Sequence, residues 1–118
     1  MNTQRDDLIF RFADPAALGA AALTGVYEGA AHDHADGFIH CSARHQIEGT
    51  LAAHYADVDR IALAVIDAAA LGDTLKWETS RGGEDFPHIY GQLPFTAIKS
   101  VHILRRDEAG GWRLPEEL

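Results

Sequence analysis

Two short apolar segments each carry a histidine where a core strand would carry an aliphatic residue: Asp36-Gly37-Phe38-Ile39-His40-Cys41-Ser42 and Phe86-Pro87-His88-Ile89-Tyr90-Gly91. Side chains of an extended chain alternate between faces, so Phe38, His40 and Ser42 share one face, Ile39 and Cys41 the other, and His88 pairs with Tyr90. Imidazole and phenol groups on otherwise apolar strands need hydrogen-bond partners or a pocket. An imidazole exchanges a proton near neutral pH, holds a hydroxyl or ligates a metal. The candidate site is therefore built on His40 and His88, with Ser42 and Tyr90 beside them. Pro87 confines Phe86 to an extended backbone, so His88 and Tyr90 emerge in a fixed direction, which suits a binding face.

Glu78 and Arg81 flank the same region. A carboxylate at a strand end can meet His88 or a ligand hydroxyl across the sheet, and a guanidinium can hold a phosphate through two parallel bonds. The competing reading for this pair is a solvent-facing salt bridge. Tyr27 and Tyr90 could stack on a flat ligand, although strand aromatics mostly belong to cores.

Seven histidines in 118 residues raise the question of a metal. The pair His32 and His34, with Asp36 nearby and His40 or His88 as a third ligand, would offer a zinc-type or non-haem iron site. No motif of strong metal-ligand spacing is present, so His32-Asp33-His34 reads as a solvated loop and no metal ligand is assigned. Cys41 beside His40 suggests a thiol nucleophile, but alternation turns it away and it reads as a small buried hydrophobe. Ser42 shares the face of His40, yet lacks nucleophile-elbow glycines and is explained as a helix cap. His45 and His54 read as surface or boundary residues and His102 as a core histidine, without roles.

The elements that position these residues follow from local pattern. Leu8 to Phe12 predicts a first strand, and Asp14-Pro15 an N-cap with proline at the first helical position. That helix runs to about Leu23, where Thr24-Gly25 ends it. Tyr27 to Asp36 reads as a loop. Ser42 caps a second helix marked by Ile47, Leu51, Tyr55 and Val58. Arg60 to Asp67 is a near-continuous apolar run, the pattern of a central strand covered on both faces. Ala68 to Gly72 forms a helical turn. Leu75 to Thr79 alternates as a strand, with Lys76 and Glu78 on one face; Arg81 to Asp85 is a flexible charged loop. Phe86 to Tyr90 and Thr96 to Leu104 complete the strands. The tail around Trp112 stays unplaced. Together these predict one α+β domain over 1–118, with helices covering a single mixed or antiparallel sheet.

Composition bounds the function. A length of 118 residues suits one domain, and 47% hydrophobic with 24% charged residues is the balance of a globule. Eighteen acidic against ten basic residues give a net charge of −8, which repels a phosphate backbone and argues against a nucleic-acid partner. Met1 to Asp7 lacks a signal-peptide apolar run, no stretch approaches a membrane span, and the single Cys41 suits a reducing compartment. The expectation is a cytoplasmic protein; its oligomeric state is left open.

The two histidine segments, with Gln46 and Trp77-Glu78, resemble the signature of the small bacterial domain-of-unknown-function family 952, a likeness running from Leu8 to about Leu104. That family is similar in fold to the catalytic domain of ADP-ribosyltransferases, which cleave the nicotinamide–ribose bond of NAD. The resemblance implies an ADP-ribosyltransferase-like cleft, with His40 on a ribose hydroxyl and Ser42 beside it. An aromatic residue stacks on a ring in that family, and a late carboxylate stabilises an oxocarbenium-like transition state. This chain has Cys41 in place of the usual glycine and no Glu-x-Glu or Gln-x-Glu pair near its last strands, so only His40 and Ser42 carry over directly.

The resulting expectation is a cleft for NAD, as substrate, or for a related nucleotide or ribosyl ligand. His40, Glu78 and His88 are its candidate catalytic groups, and Ser42, Arg81 and Tyr90 its ligand contacts. Arg81 would hold a phosphate and Tyr90 would stack on a ring. The alternatives are a non-catalytic ligand-sensing or interaction module, and a metal-binding protein using His32, His34 and His40.

Overall fold

The computed structural model describes residues 6–116 and 118; the reading of the N-terminal stretch falls largely outside them. The apolar run Arg60–Asp67 forms β4, flanked by β1 (Leu8–Ala13) and β8 (Ile98–Arg105) in an antiparallel sheet of order β1-β4-β8. Ile61 to Ile66 are all buried because both faces of β4 are covered. Ala62, Ala64 and Ile66 pack with Ile9, Ile39, Ile89 and Leu93, whereas Ile61, Leu63 and Val65 pack with Phe10, Phe12, Ile47, Leu51 and Leu104. Alternation along one strand thus sorts the interior into two layers.

The remaining strands do not extend that sheet, a correction to the single sheet expected. Among the described residues, β3 (Ile39–His40), β6 (Asp85–Ile89) and β5 (Leu75–Thr79) form a second antiparallel sheet, and β2 (Val26–Tyr27) pairs with β7 (Leu93–Pro94). The segment after β3 is where the two larger sheets meet. Ile39 and His40 pair with Ile89 and His88, and the Cys41 N–H still donates to Pro87 O at 3.0 Å. One residue later, Ser42 exchanges two backbone hydrogen bonds with Phe10 of β1, at 2.8 and 2.9 Å. The first histidine segment is the joint between sheets.

Helix α1 (Pro15–Thr24) begins after Asp14, whose carbonyl accepts from Ala17 and Leu18, and stops at Gly25, which takes the left-handed φ of +94° that glycine tolerates. Tyr27 to Asp36 is not a loop. It ends β2 and then forms α2 (Ala31–Asp36), because Asp33 folds back to accept the Ala30 N–H at 2.6 Å and Gly37 closes the far end. Nor does Ser42 cap the next helix. A 3-10 turn, Arg44–Gln46, leads into α3 (Ile47–His54); its first free amide, Ala43 N–H, is met by Gln46 Oε1 at 2.8 Å. The Ser42 hydroxyl pairs instead with Thr50 Oγ1 at 2.8 Å.

The helix ends before Tyr55 and Val58, which pack against the second core layer from the following loop. The expected charged loop holds a 3-10 turn, Arg81–Gly83. His102 is half-buried on β8 rather than a core residue. The Trp112 tail docks on that layer: Arg106 stacks 4.1 Å over its ring and donates to the carbonyls of Tyr55, Ala56 and Val58. No described helix is long and apolar enough to cross a membrane.

Candidate functional site

Arg11 stands in the middle of β1 and is only 3% exposed. A buried guanidinium demands an anionic partner. Asp33 of α2 supplies it through two parallel bonds, Nη1 to Oδ1 at 2.7 Å and Nη2 to Oδ2 at 2.6 Å. Arg11 also donates to His40 O and Tyr27 Oη, both at 2.9 Å, while its Nε has no partner among the described residues. Burial works against the Asp33 charge. The Arg11 hydrogen bonds and charge, joined by the backbone N–H groups of Ala30 and His40, outweigh it and hold the carboxyl well below the usual carboxylate range.

Asp33 in turn positions His40. Its Oδ1 accepts the His40 backbone N–H at 2.9 Å and lies 2.7 Å from His40 Nδ1. A carboxylate only accepts, so Nδ1 carries the hydrogen and the ring is fixed with Nε2 outward. There Nε2 meets the exposed Asp36 Oδ2 at 2.8 Å.

His88 is held in a parallel way. In the β5–β6 pair Lys76 faces His88 and Glu78 faces Phe86, so Glu78 and His88 are diagonal neighbours on one face. Glu78 Oε1 accepts from His88 Nδ1 at 2.8 Å and from the Tyr90 hydroxyl at 2.7 Å. These two bonds lower the Glu78 carboxyl below its ordinary range, and the Tyr90 hydroxyl is raised above its own by donating to that carboxylate. Phe38 binds the two halves together, stacking on His88 at 4.0 Å and touching the rings of His40 and Tyr90 at 4.6 and 5.3 Å. The His40 and His88 rings meet edge to face at 5.7 Å.

On one side of these rings lies a cavity of about 620 Å³ at the sheet joint, walled by β1, α2, α3 and the β5–β6 turn. His40, His88, Ser42 and Arg81 line it; Glu78 and Tyr90 do not, and Glu78 reaches it only through His88. Arg81 lies 4.9 Å over the Phe86 ring and donates to Thr50 Oγ1 at 3.3 Å, which continues to Ser42. His32 and His54 also border the space. Burial lowers both imidazoles below their usual range; Arg11 and His40 add to this for His32, against the pull of Asp33, as Arg81 and His40 do for His54. Cys41 packs with Ile39 in the core, and burial pushes its thiol up to about 12.

The metal set read from sequence is not assembled. His34 turns to Glu28 O at 2.8 Å and borders a different hollow beside Phe38 and Gly37. The donor atoms lying within 4.8 Å of one another belong instead to His32, Asp33 and His40. Arg11 and Asp33 are the residues that sequence reasoning missed. A charge inside Ile9-Phe10-Arg11-Phe12 was the available signal for Arg11, whereas Asp33 was concealed by a helix read as loop.

The family model for "Protein of unknown function (DUF952)" matches residues 12–101. Among solved structures, the crystal structure of protein CC0527 from Caulobacter crescentus is 39% identical, with a TM-score of 0.84 over 91% of this chain and 94% of that one. The solution NMR structure of the same protein is 38% identical, with a TM-score of 0.82 over 96% and 97%. Among curated proteins none matches.

Proposed function

This chain belongs to the DUF952 family of proteins of unknown function, so its chemistry has to come from its own site, and we propose that the cavity binds a small phosphate-bearing molecule with a flat ring, a nucleotide of the NAD or ADP-ribose type. One observation carries this reading. On a chain of net charge −8, the cavity is bordered by Arg81 and by the protonable imidazoles of His32, His40, His54 and His88, against the single lining carboxylate of Asp36, while the charge of Arg11 is matched by Asp33. Such a concentration of positive or protonable groups favours an anion. Phe10, Phe12, Tyr55 and Phe86 supply aromatic wall for a base, and about 620 Å³ falls in the range of small-molecule sites.

Arg81 holds a phosphate, and Ser42 with Thr50 offers hydroxyls beside it. A ribose hydroxyl reaches His40 Nε2 by displacing the exposed Asp36 carboxylate. His88, oriented at Nδ1 by Glu78, is the acid–base group for a ribosyl transfer or hydrolysis, and Glu78 orients it rather than touching the ligand. Because Tyr90 does not line the cavity, its ring packs against Phe38 rather than stacking on the ligand.

Thermal melting with millimolar NAD, ADP-ribose, AMP or inorganic phosphate tests the reading. At least one nucleotide is expected to raise the Tm by several degrees, and Arg81→Ala to remove the shift. An unchanged Tm with all four overturns it. Glu78→Gln then separates an enzyme from the second reading, a ligand-sensing module, which the distance of Glu78 from the cavity favours. In an enzyme the variant keeps binding and loses turnover.

A further inference from the structure

We infer that His32, Asp36 and His40 form a site for one divalent transition-metal ion of the zinc class at the mouth of the cavity, an ion that takes His40 Nε2 in place of the ribose hydroxyl and needs no nucleotide to bind. Three features point there together. His32 and Asp36 stand four residues apart on α2, on one face of the helix, and both border the cavity with His40. The His32 and His40 rings stack at 4.8 Å with His32 Nε2 3.6 Å from Asp33 Oδ1, so that a turn of the exposed His32 ring brings a nitrogen to the ion. His40 is prepared as a ligand, because Nδ1 is committed to Asp33, itself locked by Arg11. A carboxylate on the far nitrogen is the arrangement that fixes the tautomer and orientation of a metal-bound histidine.

Asp36, rather than Asp33, supplies the carboxylate. Both Asp33 oxygens already accept from Arg11, and Ala30 and His40 add further bonds, so an ion there would sit against a guanidinium. Asp36 is 55% exposed and its Oδ2 lies 2.8 Å from His40 Nε2. An ion about 2.1 Å from each donor needs them roughly 3.4 Å apart, a small opening for an exposed side chain. Two imidazoles and a carboxylate suit zinc or a related divalent metal over magnesium or calcium. The coordination positions left open face the cavity, where a phosphate oxygen or water can complete the shell.

The test is titration of untagged, metal-free protein with Co²⁺ and Zn²⁺ in nucleotide-free buffer, read by the cobalt absorption spectrum and by calorimetry. One equivalent is expected to bind. His32→Ala and Asp36→Asn should each weaken binding roughly tenfold or more, while His34→Ala and His45→Ala stay within about twofold. All four residues are exposed enough for the variants to fold. No saturable binding overturns the inference. So does equal weakening by His34→Ala, which marks casual binding to surface histidines, or unchanged binding in Asp36→Asn.

Discussion

Arg11 and Asp33 form a two-bond ion pair beneath the cavity, with their side chains 4% and 1% exposed. Breaking a buried pair by removing one member strands the other charge, at a cost of about 3–5 kcal/mol. Asp33→Asn is therefore expected to lower unfolding free energy by that amount in urea, and Arg11→Met by a similar one. The double variant should lose clearly less than the sum, since neither charge is then left alone.

The same pair sets the acid limit of the fold. Asp33 titrates well below the unfolded value of about 3.9, so the folded state binds fewer protons and stability rises with pH across that interval. Its contribution is complete above about pH 5 and drains away as pH falls through the folded value. Urea midpoints measured against pH should show this slope in the parent protein, and Asp33→Asn should flatten it.

Legibility in the sequence followed the range of each interaction. β4 and the β5–β6 pair were readable from Arg60–Asp67, Leu75–Thr79 and Phe86–Tyr90, because apolar runs and alternation are local. The grouping of His40 with His88 was suggested by their matching strand contexts. Arg11 and Asp33 lie 22 residues apart, and neither residue's neighbours announce the other. Ser42 fitted a helix cap on local grounds, yet its backbone pairs with Phe10 and its hydroxyl with Thr50, contacts that exist only once two sheets have met. The single sheet failed for the same reason: one residue after Cys41 the chain changes partner from β6 to β1.

Gln46 connects α3 to the turn that carries Arg81. It is 3% exposed, its Oε1 accepts from Ala43 N–H, and its Nε2 donates to Asp85 O at 2.9 Å and Glu84 Oε1 at 3.3 Å. Gln46→Ala leaves the buried Ala43 amide unmet and should cost about 1–3 kcal/mol. Hydrogen exchange should speed up locally at Gly83 and Glu84, whose amides close the turn. Unchanged exchange there would separate Gln46 from the placement of Arg81.

Cys41 offers a direct check on the rejected thiol chemistry. With the thiol pushed up to about 12 by burial, it carries almost no thiolate at neutral pH. A thiol-directed alkylating reagent should leave the native protein unmodified and label it fully in denaturant. Rapid native labelling would return the cysteine to the list of candidate nucleophiles.

Tyr90 and His88 share one acceptor, Glu78 Oε1, and that sharing can be observed without knowing the ligand. Donation to the carboxylate raises the Tyr90 hydroxyl, whereas Tyr27 and Tyr55 are raised chiefly by burial. Glu78→Gln removes the charge, so the Tyr90 ionisation should fall back toward about 10 while the other two stay in place. An ultraviolet titration of the parent, Glu78→Gln and Tyr90→Phe proteins reads this directly, with Tyr90→Phe identifying the transition. The folded state should survive, because an exposed carboxylate contributes little to stability. The amide oxygen of the same variant still accepts from His88 Nδ1 but without the carboxylate charge, so the His88 ring NMR signal should shift. Coincident tyrosine titrations in the parent and Glu78→Gln would mean that Glu78 does not hold the Tyr90 hydroxyl in solution, and an unmoved His88 signal would mean that it does not orient His88, so that the acid–base role proposed for that histidine would lose its support.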